Sequence, residues 1–220
     1  MNDASFSAPD MARRILRSAA TASLGTLATD GGPFVTFVTV ATDIDGAPLI
    51  LVSGLDAHTR HLGRDERASL LMQAPAGASE DPLTGARLTL VGRFRSMAGD
   101  EDAHARLLRR FLARHPKAEG YAGFGDFSLY RMIVDGAHLV AGFGRIARLS
   151  ADDLLVAPAV AEAFALAEAS LIETLSGIDP RPVAIDPDGV DVADNGIRRF
   201  CFPQRAGDPG EVAALMADLG

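Results

Sequence analysis

The chain has 220 residues, 48% of them hydrophobic, and a formal net charge of −8 at pH 7. That is enough apolar material for a real core, in one domain or one domain plus a small appendage, and the acidic balance disfavours nucleic acid and anionic membrane as partners. One cysteine, Cys201, excludes an internal disulfide and fits a reducing cytoplasm; the N-terminal stretch has no signal-peptide pattern, and no run reaches the roughly 18 apolar residues that span a bilayer.

Asp10–Ala20 is predicted to be an amphipathic helix, with Asp10 as N-cap and Met11, Ile15 and Leu16 at helical spacing. Ala22–Thr29 reads as a first strand and Asp30-Gly31-Gly32-Pro33 as a turn. Phe34–Ala41 and Pro48–Ser53 flank Asp43-Ile44-Asp45-Gly46, whose Asp-Gly step between apolar runs predicts a hairpin. The first of these runs mixes Thr36 and Thr39 with Phe37, Val38 and Val40, as expected of a strand with both faces partly covered. A polar segment, Asp56–His61, opens a short helix before a third core strand, Ala68–Gln73. Ala74–Gly85 is a loop of a length often reserved for function.

Arg87–Met97 alternates as a long strand, with Gly92 marking a bulge or a close approach. Asp100–His115 is a helix that gathers Leu107, Leu108, Phe111 and Leu112 on one face. Its Arg106, Arg109, Arg110 and Arg114 are expected to be solvated or to face another subunit. Tyr121–Phe127 is a connector. Ser128–Val134 and Ala137–Ala141 are expected to form a second hairpin about Asp135-Gly136, and Gly142-Phe143-Gly144-Arg145 closes this part. About six mainly antiparallel strands favour a small barrel over a doubly wound sheet. Beyond Ala151 the pattern becomes helix (Ala157–Leu175), short strands (Pro180–Asp186, Gly189–Val192, Ile197–Phe202) and a closing helix, Asp208–Leu219. The expected class is α+β: a six-stranded antiparallel split barrel, residues 1–150, and a small α+β unit, residues 151–220.

One stretch carries chemistry. His58-Thr59-Arg60 opens a helix just after a strand, where free amides, a hydroxyl and a guanidinium suit an anion. The plainer reading is a solvated polar cap. No residue presents itself as a general base. Cys201 between Phe200 and Phe202 reads as a small apolar residue.

The hairpin stretch, the long strand, the Arg-rich helix ending in HPKA, YAGFGDFSLYRM, HLVAGFGR and SGIDPRPVAIDPDGVDV occur in a telling order. In that order they resemble the FMN-binding split-barrel superfamily related to pyridoxamine 5′-phosphate oxidase, and within it the HugZ-type haem-utilisation branch. The resemblance spans nearly the whole chain and implies a homodimer with FMN at the subunit interface; the single cysteine adds the expectation of a cytoplasmic placement. It implies that Val35–Val38, with Thr36, Phe37 and Val38, lies along the isoalloxazine ring. Ser53, His58, Thr59 and Arg60 would hold the phosphate, with Gln73 and Arg93 as neighbours. The implied function is a flavin-dependent oxidoreductase acting on a small molecule. The alternatives are a haem-binding or haem-degrading protein and a binding module without flavin. The absence of tryptophan argues against pyridoxamine 5′-phosphate oxidase activity itself. In the haem branch the second unit commonly begins with a histidine motif. Here Val160–Ala165 stands in that place, so histidine ligation of a haem falls to His58, His61, His104, His115 or His138.

Overall fold

A computed structural model describes residues 6–74, 85–142 and 144–217. Residues 75–84 of the expected loop, Phe143 of the glycine-rich turn and residues 218–219 of the closing helix lie outside them.

Helix α1, Ala8–Ser18, is capped by Ser7, whose hydroxyl accepts from the amide of Asp10. Pro9 fits the first turn because its missing N–H would be unbonded there anyway. Asp10 is therefore not the cap. It lies in the first turn, where a carboxylate favours the dipole, and pairs with Arg13. Buried Ala12, Ile15 and Leu16 face the barrel.

The main sheet runs β2 (Pro33–Thr39), β1 (Thr21–Leu27), β5 (Arg67–Gln73), β6 (Arg87–Ser96), β7 (Phe127–Val140), β4 (Pro48–Ser53), β3 (Ala41–Thr42), and β8 (Ile146–Ser150) joins β7. Every pairing is antiparallel. It curls around Leu24, Val38, Val40, Ile50, Leu70, Met72, Leu88, Leu90, Phe94, Met132 and Leu139. This is the expected split-barrel class.

Three expectations are corrected. The Phe34–Ala41 run pairs along its length with β1, not with Pro48–Ser53; only Ala41 and Thr42 reach across to Leu49 and Pro48. Its outward face is bare rather than covered: Val35 is 67% and Phe37 73% exposed. The strand buried on both faces is β4, with Ile50 and Val52 inside the barrel and Leu49 and Leu51 under α3, Glu101–Arg114. Second, Asp135-Gly136 is not a turn. Residues 127–140 form one strand, and the extra residue is absorbed as a bulge opposite Val91 and Gly92. Third, the arginines of α3 neither face solvent as a set nor wait for another subunit. Arg106 turns to Asp43 of the β3–β4 turn, and Arg109, Arg110 and Arg114 reach into the C-terminal part of the chain.

That part consists of α5 (Ala151–Leu154), α6 (Pro158–Thr174), a sheet ordered β11 (Ile197–Cys201), β10 (Gly189–Ala193), β9 (Arg181–Asp186), and a short final helix, Val212–Ala217. Its core holds Phe164, Ile185, Val190, Val192, Phe202 and Val212, and it receives Ile44 from the tip of the β3–β4 turn. Burying Ile44 contributes about 2 kcal/mol. Around that tip lies a network of ions. Arg110 meets Glu168 and Asp186 (3.3 Å), and donates to the carbonyl of Ile185 at 3.0 Å. Arg114 meets Asp191 at 3.2 Å, and Arg109 also reaches Glu168. Arg17 of α1 donates to Asp188 (2.9 Å) and to the carbonyls of Asp43 and Ile44. Arg199 grips Asp186 from the other side at 2.6 Å and 2.8 Å. Asp43 holds Arg106 and Arg131. No helix among the described residues is long and apolar enough to cross a membrane.

Candidate functional site

Strands alternate their side chains, so the register assigns every core-sheet residue to the barrel interior or to the outer face. Phe37, Ser23, Leu71, Thr89, His138 and Arg148 form one outward row across β2, β1, β5, β6, β7 and β8. Val35, Gly25, Ser69, Val91, Gly136 and Ser150 form the next. Phe37, Val35, Val91, Ile133 and Leu71 on this face are 73, 67, 48, 39 and 38% exposed. Helix α3 covers the outer side only near β4, where Leu51 and Leu129 meet Phe111. The rest of the face lies open. It carries two depressions, one of about 410 Å³ between Ala19–Ser23, Phe37, Leu71 and Gln73, the other of about 300 Å³ between Gly25, Val35, Arg67 and Ser69. Its charged residues are mostly basic: Arg67 paired with Asp65, Arg93 with Asp135 at 3.3 Å, and Arg148, which has no ion pair among the described residues.

The residues expected to hold a flavin divide between the two faces. Phe37 and Gln73 share the outer depression. Val38 belongs to the barrel core, and Thr36 points to the same side, where its hydroxyl meets His58 Nδ1 at 3.2 Å. Ser53, Thr59 and Arg60 gather about helix α2, Ala57–Leu62, but each is already engaged. Ser53 donates to Asp126 at 2.6 Å, Thr59 to the carbonyl of Ser53 at 2.6 Å, and Arg60 to the carbonyl of Leu55 at 2.6 Å. The Asp126 carboxylate sits among them, and that of Asp56 lies 3.7 Å from His58 Nε2. The Asp126 and Asp56 carboxylates thus stand among these donors, and FMN is not carried into the functional reading.

Helix α2 instead fastens the edge ribbon. His58 reaches Thr36 on β2, and His61 Nδ1 meets the Thr26 hydroxyl on β1 at 3.1 Å while its ring packs edge-on against Phe34. His58 is 6% exposed and its Nε2 has no hydrogen-bond partner. Burial pushes its pKa below the ordinary histidine value, against the nearby Asp56 carboxylate, and His61 adds to the lowering. The unfolded chain therefore takes up this proton first. Stability is retained above about pH 6.5 and is lost as pH falls toward the depressed folded value. His58→Gln should flatten the fall in melting temperature between about pH 7.5 and pH 5, measured by circular dichroism; a slope equal to that of the wild type would exclude His58 as its source.

His115 Nε2 lies 2.9 Å from the carbonyl of Val40, and His104 rides on α3. Of the five histidines only His138 is exposed. Sequence reasoning missed the open face, although its signal was present: Val35 and Phe37 alternate with Thr36 and Val38, and Val91 repeats the phase on β6.

Residues 4–155 match the family described as CREG, beta-barrel. The chain belongs to this family. A protein of unknown function from Agrobacterium tumefaciens has the same fold at a TM-score of 0.80, with 30% identity, over 98% of this chain and 96% of that one. A haem-binding protein from Mycobacterium smegmatis superposes at 0.62, also at 30% identity, over 97% and 96%. The non-canonical haem oxygenase HOZ of Arabidopsis thaliana is 37% identical over 113 residues, which is 51% of this chain and 33% of the relative. The chain thus matches about a third of that relative's length, and the relative is a chloroplast protein, unlike the cytoplasmic placement expected here. Barrel family and haem-associated relatives agree with the haem branch of the expected resemblance; its oxidase side has no counterpart among these relatives.

Proposed function

We propose that this family member is a haem-binding protein that works as a homodimer, with the haem held against the open outer face of the barrel sheet and a second copy closing over it. The observation that carries the reading is that face: bare aliphatic and aromatic side chains fringed by arginines, on a chain 30% identical to a haem-binding protein along almost its whole length. A porphyrin is a flat apolar disc with two carboxylates, and the residues present fit it. Val35, Phe37, Leu71 and Val91 would cover the ring, and Arg67, Arg93 or Arg148 would face the carboxylates. Residues 1–150 would form the binding barrel and residues 151–220 its fixed cap.

Likeness to HOZ extends the proposal to haem breakdown. Bound haem would supply an iron able to react with dioxygen when an external donor provides electrons. The chain's part is to bind, orient and keep water from the ring.

Haemin titration of the purified protein tests the reading. A saturable Soret band and a dimeric mass in solution are expected. Phe37→Asp should weaken haem binding at least about tenfold, equivalent to about 1.4 kcal/mol, and shift the protein toward monomer. A protein that leaves haemin unbound but retains FMN through desalting would overturn the proposal. Decay of the Soret band under ascorbate and air, absent under nitrogen, would support breakdown.

A further inference from the structure

We infer that His138 is the side chain that ligates the haem iron. This rests on the haem reading above and assigns the ligand within it. Five histidines could serve, and the fold removes four. His58 is 6% exposed and faces the barrel interior beside Thr36. His61 is tied to Thr26 and to the ring of Phe34. His115 is fixed on the carbonyl of Val40 and stacks at 4.9 Å, tilted, on Phe111. His104 lies on α3, on the far side of β4 from the barrel interior and away from the open sheet face.

His138 meets each requirement that the others fail. It stands in the outward row of the long strand β7, beyond the part covered by α3. Its row neighbours are Thr89 on β6 and Arg148 on β8, and Leu71 follows beyond Thr89. Neighbouring strands are about 4.8 Å apart, so Leu71 lies about 10 Å across the sheet from His138, within the footprint of a macrocycle centred near the imidazole. Val91 occupies the adjacent row on the same side. The strand is paired on both flanks, to β6 and β8, so the ligand is mounted on rigid backbone rather than a loop. No described residue holds the His138 ring in a hydrogen bond or ion pair, which leaves its ring nitrogens free to bind a metal. Arg148 is similarly unpaired and stands beside it, placed to meet a propionate.

The test uses the full chain loaded with haemin. Wild-type protein should show the absorption and electron paramagnetic resonance signature of histidine-ligated ferric haem. His138→Ala should lose that signature, and added imidazole should restore it. Arg148→Ala should weaken haem binding without moving the Soret maximum. Circular dichroism checks that both variants fold, as expected for exposed positions. If wild type binds haemin and His138→Ala keeps an unchanged spectrum, the ligand assignment is wrong while the haem reading stands. If wild type binds no haemin, both fall.

Discussion

Asp186→Ala should lower the melting temperature by about 10 °C, from a loss of about 3–5 kcal/mol at a site where a buried charge cluster loses its central anion. Asp186 is fully buried and is met by Arg17, Arg110 and Arg199. Burial alone would raise its pKa; the surrounding guanidinium groups of Arg17, Arg199 and Arg110 outweigh burial and hold it well below the usual carboxylate range. Remove the carboxylate and three buried cations lose the anion they share, leaving each with a single other carboxylate, Asp188, Glu168 or Asp191. Asp186→Asn should be nearly as harmful, since it keeps the shape and drops the charge. Asp65→Ala breaks a pair of comparable geometry with Arg67 at the surface and should leave the melting temperature within error. Equal effects of the two alanine variants would refute the argument. The same carboxylates set the acid limit. Asp43, Asp186 and Asp188 all have lowered folded pKa values, so their contribution is complete above the unfolded value of about 3.9 and is lost as pH falls through the folded values. Acid unfolding should begin only below about pH 4 for this cluster, and should separate the two sheets together rather than one after the other.

Gly92→Ala should prevent the barrel from forming. A Cβ on Gly92 would lie 2.0 Å from the carbonyl oxygen of Ile133, which is backbone of the neighbouring strand and cannot swing aside. Relief would require β6 and β7 to part at the centre of the sheet, at a cost above the about 1–3 kcal/mol of ordinary overpacking. Expression in inclusion bodies, or a soluble protein without a cooperative thermal transition, is the expected outcome. Gly120→Ala, in the short helix α4, Glu119–Ala122, with nothing within 4 Å of the added carbon, is the control and should be neutral. A soluble Gly92→Ala protein with wild-type melting would show that the bulge is far more plastic than its contacts indicate.

How far the fold could be read from sequence depended on the range of the interactions. Helices α1 and α3 and strands β5, β6, β9, β10 and β11 were expected within a few residues of where they lie, because periodicity and turn residues are local signals. Asp135-Gly136 misled because an Asp-Gly step looks alike in a turn and in a bulge. What distinguishes them is Gly92 on the partner strand, more than forty residues earlier. The α3 arginines misled for the same reason: an Arg-rich helix face looks solvated until Glu168, Asp186 and Asp191 fold back onto it. At the candidate site, the composition of His58-Thr59-Arg60 was legible and its orientation was not. His58 turned inward to Thr36, and Ser53 met a carboxylate, Asp126, seventy-three residues away. The histidines were countable from the start; only the register of β7 separated His138 from the other four.

The arginines of α3 also limit how this protein can be recombined. The family match ends at residue 155, and a reader of sequence alone would place a seam there. Yet Arg109, Arg110 and Arg114 from before that seam are neutralised by Glu168, Asp186 and Asp191 from after it, while Ile44 crosses it as an apolar peg. A chimera that grafts another relative's tail onto this barrel would inherit a positively charged socket with no matching plug. The two halves are thus bound to be inherited as a matched set, and swaps should succeed only when helix and acceptor carboxylates travel together.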